Sequence, residues 1–268
     1  MRRIIGKTLR GALVLAARPA PFFARLKNRL PASEQSRHVI HVIGDSHVAM
    51  FSGKDAMVDA WPRSTRNRLD GFQAYRLGPV LAFRLADLKT SSLGREKLLA
   101  TLAYGPVPPR GVVMLCFGEI DCRYHLLRQA ESQGRAIDDV VAECVRRYAG
   151  VALEIQALGF STCAWGVIPA DNVRPEDAND DYPYWGTPSQ RNAVARTFNR
   201  MLADQLEPLG VAVLSISQSL IGPDGQPKRD LYMDSVHLSQ AALPLAVEAI
   251  SASPLVPWTR RPPARRSS

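Results

Sequence analysis

The stretch HVIHVIGDSHVAMF, residues 38–51, runs through Val39, Ile40, Val42 and Ile43 and then breaks into Gly44-Asp45-Ser46-His47. β-Branched residues suit a pleated backbone, and a near-continuous apolar run closed by turn residues is the mark of a strand buried on both faces of a parallel sheet. Four small or polar residues at its end fit a turn, a metal site or a nucleophile, and the rest of the chain has to choose among them.

Further short apolar runs repeat the pattern: FQAYRL at 72–77, GVVMLCF at 111–117, STCAWGV at 161–167 and VAVLSI at 211–216. Between the last three lie two helical patterns, one from Ile137 to Leu158 stopped by Gly159, the other from Ser189 to Leu206 stopped before Pro208. A last helix follows Ser239, with Leu243, Val247 and Ile250 on one face. Strands alternating with helices predict an α/β domain of three layers, α/β/α, around a five-stranded, mostly parallel sheet of flavodoxin-like type. Residues 168–188 are rich in Pro, Asp and Asn with Tyr182, Tyr184 and Trp185. That is too long for a plain connection, so it reads as a lid or wall over a site, or as a disordered insert. Its aromatic residues suit stacking on a sugar or acyl chain, or anchoring of the loop.

A net charge of +9 would suggest a nucleic-acid partner if it were spread over the fold. It is not: eight cations and no acid fall in residues 1–30, four more cations in 259–268, and the span between is slightly acidic. The chain therefore divides into a basic extension at 1–36, partly disordered or helical, a domain at 37–253 and a basic Pro/Arg-rich tail at 254–268, with no nucleic acid expected. The apolar run GALVLAA near the start is short and closed by Arg18-Pro19, unlike a secretory core, and no run reaches a membrane-spanning length of about 20 residues. For the basic segment carrying Phe22-Phe23, a frayed tail and a weak membrane-surface contact both stay open. Cys116, Cys122, Cys144 and Cys163 have no metal-ligand spacing and read as reduced core thiols, which favours the cytoplasm.

Ligands of open parallel sheets gather at the carboxyl ends of the strands. Four polar groups are expected there: Gly44-Asp45-Ser46, Gly78-Pro79, FGEIDCRYH at 117–125 and LYMDSVHLS at 231–239. A serine becomes a nucleophile when a base takes its proton and a carboxylate orients that base, roles that Ser46, His237 and Asp234 can fill. Ser46 where strand gives way to helix brings its own N–H toward a developing oxyanion. The competing readings are ordinary ones: Ser46 as a turn residue or helix cap, Asp45 as a turn brace, His47 as a supporting hydrogen bond, His125 and Arg123 as closures of a loop.

This ordered set resembles the SGNH, or GDSL, hydrolases over residues 39 to about 250. The resemblance implies an α/β/α fold and metal-free, cofactor-free cleavage or transfer of ester-linked acyl groups. It makes Ser46 the nucleophile, Asp234 and His237 its partners, and Gly78 a second oxyanion N–H. The third block departs from the family pattern Gly-x-Asn-Asp: here it reads Gly118-Glu119-Ile120-Asp121, and isoleucine donates nothing. A lost oxyanion donor costs about 3 to 4 kcal/mol of transition-state stabilisation. Arg123 is the nearest substitute, unless it pairs with Glu119 or binds an anionic substrate. Glu119, Asp121 and Arg123 are expected to line a pocket for a small-molecule or glycan ester. The alternatives are a non-catalytic glycan- or acyl-binding module on the same fold and, more distantly, a metallophosphoesterase, since Gly44-Asp45-Ser46-His47 also satisfies Gly-Asp-x-His. A dimetal site needs several further His and Asn ligands, and beyond residue 47 only His125 and His237 remain.

Overall fold

The computed structural model describes residues 39–63, 67, 69–170 and 183–257. The basic extension, His38, Tyr182, residues 171–181 of the long connection and the tail from 258 lie outside the described residues. Five strands form the sheet: β1 Ile40–Gly44, β2 Phe72–Arg76, β3 Val112–Cys116, β4 Ser161–Trp165 and β5 Ala212–Leu214. Their order is β2-β1-β3-β4-β5, and every pairing is parallel.

Parallel neighbours need crossovers, and helices supply most of them. α1, Gly94–Tyr104, joins β2 to β3; α2, Leu126–Gln133, and α3, Ile137–Ala157, join β3 to β4; α4, Pro188–Leu206, leads to β5; α5, Leu243–Ala252, ends the fold. Side chains alternate across the sheet into two cores. Ile43, Val113 and Leu115 face Leu98, Tyr148 and Phe198 of α1, α3 and α4, while Ile40, Val42 and Met114 face Phe51, Ala246 and Ile250 on the other side. This is the three-layer α/β/α architecture expected from the sequence, with a wholly parallel sheet.

Several boundaries differ from the sequence reading for identifiable reasons. β4 stops at Trp165 because the backbone of Val167 turns to the side chain of Asn199, which accepts from its N–H at 2.7 Å and donates to its carbonyl at 2.8 Å. α4 begins one residue early, at Pro188, where Thr187 and Gln190 form a reciprocal cap. α1 and α2 carry no clear start signal. α1 follows Leu93, which holds a left-handed φ of 51° and offers no side-chain cap. All four cysteines are buried and unpaired to one another. Among the described residues, no helix is long and apolar enough to cross a membrane.

Register decides what meets at the sheet edge. Gly44 lies opposite Arg76 on one side and Cys116 on the other. Counting two residues on from each, Ser46, Gly78 and Gly118 leave the sheet level with one another on three adjacent strands.

Candidate active site

The turn after β1 begins with a close approach. Asp45 N–H donates to the Cys116 carbonyl at 3.1 Å, and a Cβ on Gly44 would stand 2.1 Å from that same oxygen. Only glycine brings the two strands this near. Asp45, fully buried, then caps the short 3-10 helix at Ser46–Ser52, its Oδ1 accepting from the His47 N–H at 2.9 Å. Ser46 is thereby held at the first position of a helical turn, half-buried at the carboxyl edge of the sheet.

His237 reaches it from the other end of the chain. Its Nε2 lies 2.7 Å from Ser46 Oγ, and its Nδ1 lies 2.8 Å from Asp234 Oδ2. The Asp-x-x-His spacing works because the chain doubles back: Tyr232 bridges Leu238, and Met233 N–H donates to the His237 carbonyl at 2.9 Å. Asp234 also accepts the N–H groups of Val236 and His237, each at 2.7 Å. Burial works against its charge, yet the bonds from the His237 ring and these N–H groups hold its carboxyl at about 2. Burial pushes His237 below its ordinary value; the charge on His47 adds to this and Asp234 opposes it. A neutral imidazole with Nδ1–H fixed on a carboxylate leaves Nε2 as an acceptor for a hydroxyl proton.

Two further contacts lock the histidine loop to the serine turn. Gln240 donates to the carbonyl of Met50 at 2.8 Å, and its N–H reaches Asp55 at 2.6 Å. His47 is the second. Its Nδ1 lies 3.0 Å from Asp45 Oδ1 and its Nε2 lies 3.2 Å from the Val236 carbonyl, with the ring 4.8 Å from that of His237. A carboxylate and a carbonyl only accept, so both ring nitrogens carry protons and His47 is an imidazolium. Burial opposes that charge, but Asp45 and then Glu119 outweigh it and raise the group to about 9, against a smaller opposing effect of Arg123. The supporting hydrogen bond expected of His47 is therefore a charged clamp on the backbone beside His237.

Because His47 is raised from 6.5 to about 9 on folding, the stability it contributes is fully present below pH 6.5 and is lost as pH climbs through 9. His47→Gln, which keeps a donor and loses the charge, is expected to narrow its Tm deficit against wild type across that interval. Thermal melts from pH 6 to 10 check this; a constant deficit contradicts it.

The GEIDCR segment is arranged differently from the sequence reading. Asp121 does not line a pocket: it is fully buried, accepting from Ala82 N–H at 2.8 Å and Phe83 N–H at 3.2 Å, and burial lifts its carboxyl to about 7. It braces the loop that follows Gly78. Arg123 is nearly buried, its Nε donating to Glu119 at 2.8 Å and its Nη1 to the Pro183 carbonyl. The pairing with Glu119 that the sequence left open is thus adopted, through Nε, while Nη1 is engaged by the Pro183 carbonyl. Glu119 stays near the centre, one oxygen on Arg123 and the other 3.8 Å from His47 Nε2.

The far end of the long connection is anchored rather than open. Trp185 N–H donates to the Arg123 carbonyl at 2.9 Å and its indole to Glu131 at 2.7 Å; Arg191 stacks on Tyr184 at 4.9 Å. His125 ends a short π-helical turn, Asp121–His125, edge-on to Tyr124. Gly78 has a φ of 106°, open to glycine and strained for other residues. Among the described residues, neither Ser46 N–H nor Gly78 N–H has a hydrogen-bond acceptor.

No family model matches the chain, and no curated protein matches it. Solved structures do. A protein from Streptococcus pneumonia provisionally assigned as a platelet activating factor aligns at 15% identity over 93% of this chain and 97% of its own, with a TM-score of 0.51. A provisionally assigned acylhydrolase from Bacteroides fragilis NCTC 9343 aligns at 12% identity over 85% and 92%, also at 0.51. A provisionally assigned SGNH hydrolase from Slackia heliotrinireducens aligns at 15% identity over 79% and 96%, with a TM-score of 0.48. The chain shares its fold with the first two of these structures. Identities this low speak for the fold alone.

Proposed function

We propose that this protein is a serine-dependent esterase, or an acyl-transfer enzyme, of SGNH type. The observation that carries the reading is the continuous chain Ser46 Oγ, His237 Nε2, His237 Nδ1, Asp234, with links of 2.7 and 2.8 Å, at the carboxyl edge of the sheet. In this reading Ser46 Oγ attacks an ester carbonyl as His237 Nε2 takes its proton. The C–O bond to the alcohol breaks as His237 returns that proton to the leaving oxygen, and an acyl-Ser46 remains. Water, or a second hydroxyl, repeats the sequence and releases the acid or a new ester. Asp234 stabilises the imidazolium formed in each half-reaction. The unoccupied N–H groups of Ser46 and Gly78 hold the oxyanion.

The fixed charge on His47 gives this chemistry a setting near neutral pH. It disfavours a second cation on His237, so the base is free before the reaction; Asp234 and Glu119 offset the repulsion once His237 is protonated. Glu119 is the polar group available to an acyl acceptor such as a sugar hydroxyl.

A second reading, a non-catalytic glycan- or acyl-binding module, is favoured by one observation: Ile120 stands where the third oxyanion donor would be. Loss of one donor typically lowers kcat by about 10² to 10³, which slows an enzyme without abolishing it. The two readings separate on a panel of short-chain aryl esters and acetylated sugars. Steady turnover that survives metal chelation is the expected result. Saturable binding of an acylated sugar with no release of acid would overturn the esterase reading.

A further inference from the structure

The missing Asn leaves two backbone N–H groups to do the work of three donors, and the structure holds a charge placed to strengthen one of them. Lys97, half-buried on α1, donates from Nζ to the carbonyl of Leu77 at 2.8 Å. That carbonyl belongs to the same peptide group as the Gly78 N–H. Among the described residues the only cis peptide is Trp61-Pro62, so the Leu77-Gly78 peptide is trans and its C=O and N–H point in opposite directions. The ammonium therefore sits at the oxygen end of the unit whose N–H the esterase reading assigns to the oxyanion. It also lies 3.7 Å from where a Gly78 Cβ would be, close against the turn.

A cation bonded to a peptide oxygen draws electron density along the amide and makes its N–H a stronger donor, the same polarisation that makes chains of hydrogen bonds cooperative. Burial lowers the Lys97 ammonium from its ordinary range, and the nearby charge of Glu96 opposes this. Glu96 turns away to accept the Lys89 N–H at 2.5 Å, and among the described residues no carboxylate comes within ion-pair distance of Lys97 Nζ. Leu77 N–H, in the peptide just before it, is tied to the Gly44 carbonyl at 2.8 Å, which holds this segment against the strand that delivers Ser46.

We infer that Lys97 is a positioning residue for the oxyanion site, acting through the Leu77-Gly78 peptide to fix and polarise the Gly78 N–H in a chain that lacks the side-chain donor. The inference rests on the esterase reading and names where that reading recovers part of the lost stabilisation.

Three variants separate charge from bracing: Lys97→Arg keeps donor and charge, Lys97→Gln keeps a donor alone, and Lys97→Met keeps neither. In ester hydrolysis, kcat is expected to fall about tenfold in Lys97→Gln and in Lys97→Met with KM changed by less than about twofold, while Lys97→Arg stays close to wild type. Lys97→Gln as active as wild type would reduce Lys97 to a brace, and a raised KM at unchanged kcat would make it a substrate contact; either overturns the inference. A second measurement does not depend on turnover. In protein labelled with ¹⁵N-glycine, the Gly78 amide proton is expected to move upfield in Lys97→Gln and Lys97→Met but not in Lys97→Arg. An unmoved amide refutes the polarisation, whereas wild type that cleaves no ester refutes the esterase reading on its own.

Discussion

Replacing Ser46 by alanine is expected to lower kcat for ester cleavage by about 10⁴-fold or more, His237→Ala by a similar factor, and the double variant no further. The equality follows from the geometry. A hydroxyl whose proton has nowhere to go is a poor nucleophile, and a base with no hydroxyl at 2.7 Å has nothing to deprotonate, so each removal disables the same unit. Asp234→Asn belongs to the same series: it keeps the loop bonds and removes the charge that stabilises the imidazolium. Residual turnover in all three would come from the N–H groups of Ser46 and Gly78. Kinetics of the two single variants and the double one check the prediction; multiplied losses in the double variant would mean that the two side chains act independently.

The second large effect is on stability. Gly44→Ala is expected to cost at least about 3 kcal/mol, because the new methyl would stand 2.1 Å from the Cys116 carbonyl oxygen and 2.8 Å from its Cβ. Neither neighbour can yield. The oxygen already accepts the Asp45 N–H, and both strands are held in ladders on each side. Against a total stability of about 5 to 15 kcal/mol, a loss of this size lowers Tm by roughly 6 to 12 °C in a chain of this length. Gly150 is the control. It lies within α3, where an added methyl would meet nothing within 4 Å, so Gly150→Ala is expected to raise stability by up to about 1 kcal/mol. Thermal melts of the two variants have opposite signs if the close approach of β1 and β3, rather than glycine content, is what matters.

The parts of the fold that were legible in the sequence are those in which composition itself carries the physics. β1, β3 and β4 are buried on both faces, so their β-branched and apolar runs stand out, and α3 and α4 show a long apolar period. The three residues Ser46, Asp234 and His237 were legible for a related reason: strand ends and helix starts punctuate the chain, and polar residues at those points have few structural duties. What was not legible depends on contacts between distant segments. α1 starts from a left-handed leucine with no cap, and Lys97 is on that helix, so nothing marked it. The π-helical turn at Asp121–His125 adds a residue to the repeat and changes which side chains face inward; Asp121 goes to the 82–83 backbone and Arg123 to Glu119 and Pro183. Spacing could not reveal that phase. His47 looked like a supporting residue, but its charge depends on Asp45, on Glu119 and on a carbonyl 189 positions away.

The most direct measurement of the central claim is the site of reaction with a serine-directed fluorophosphonate, mapped by peptide mass spectrometry on the folded protein. A single adduct on Ser46, lost in His237→Ala, is the predicted result. A well-folded wild type that stays unlabelled, or that carries the adduct on another serine, would contradict it.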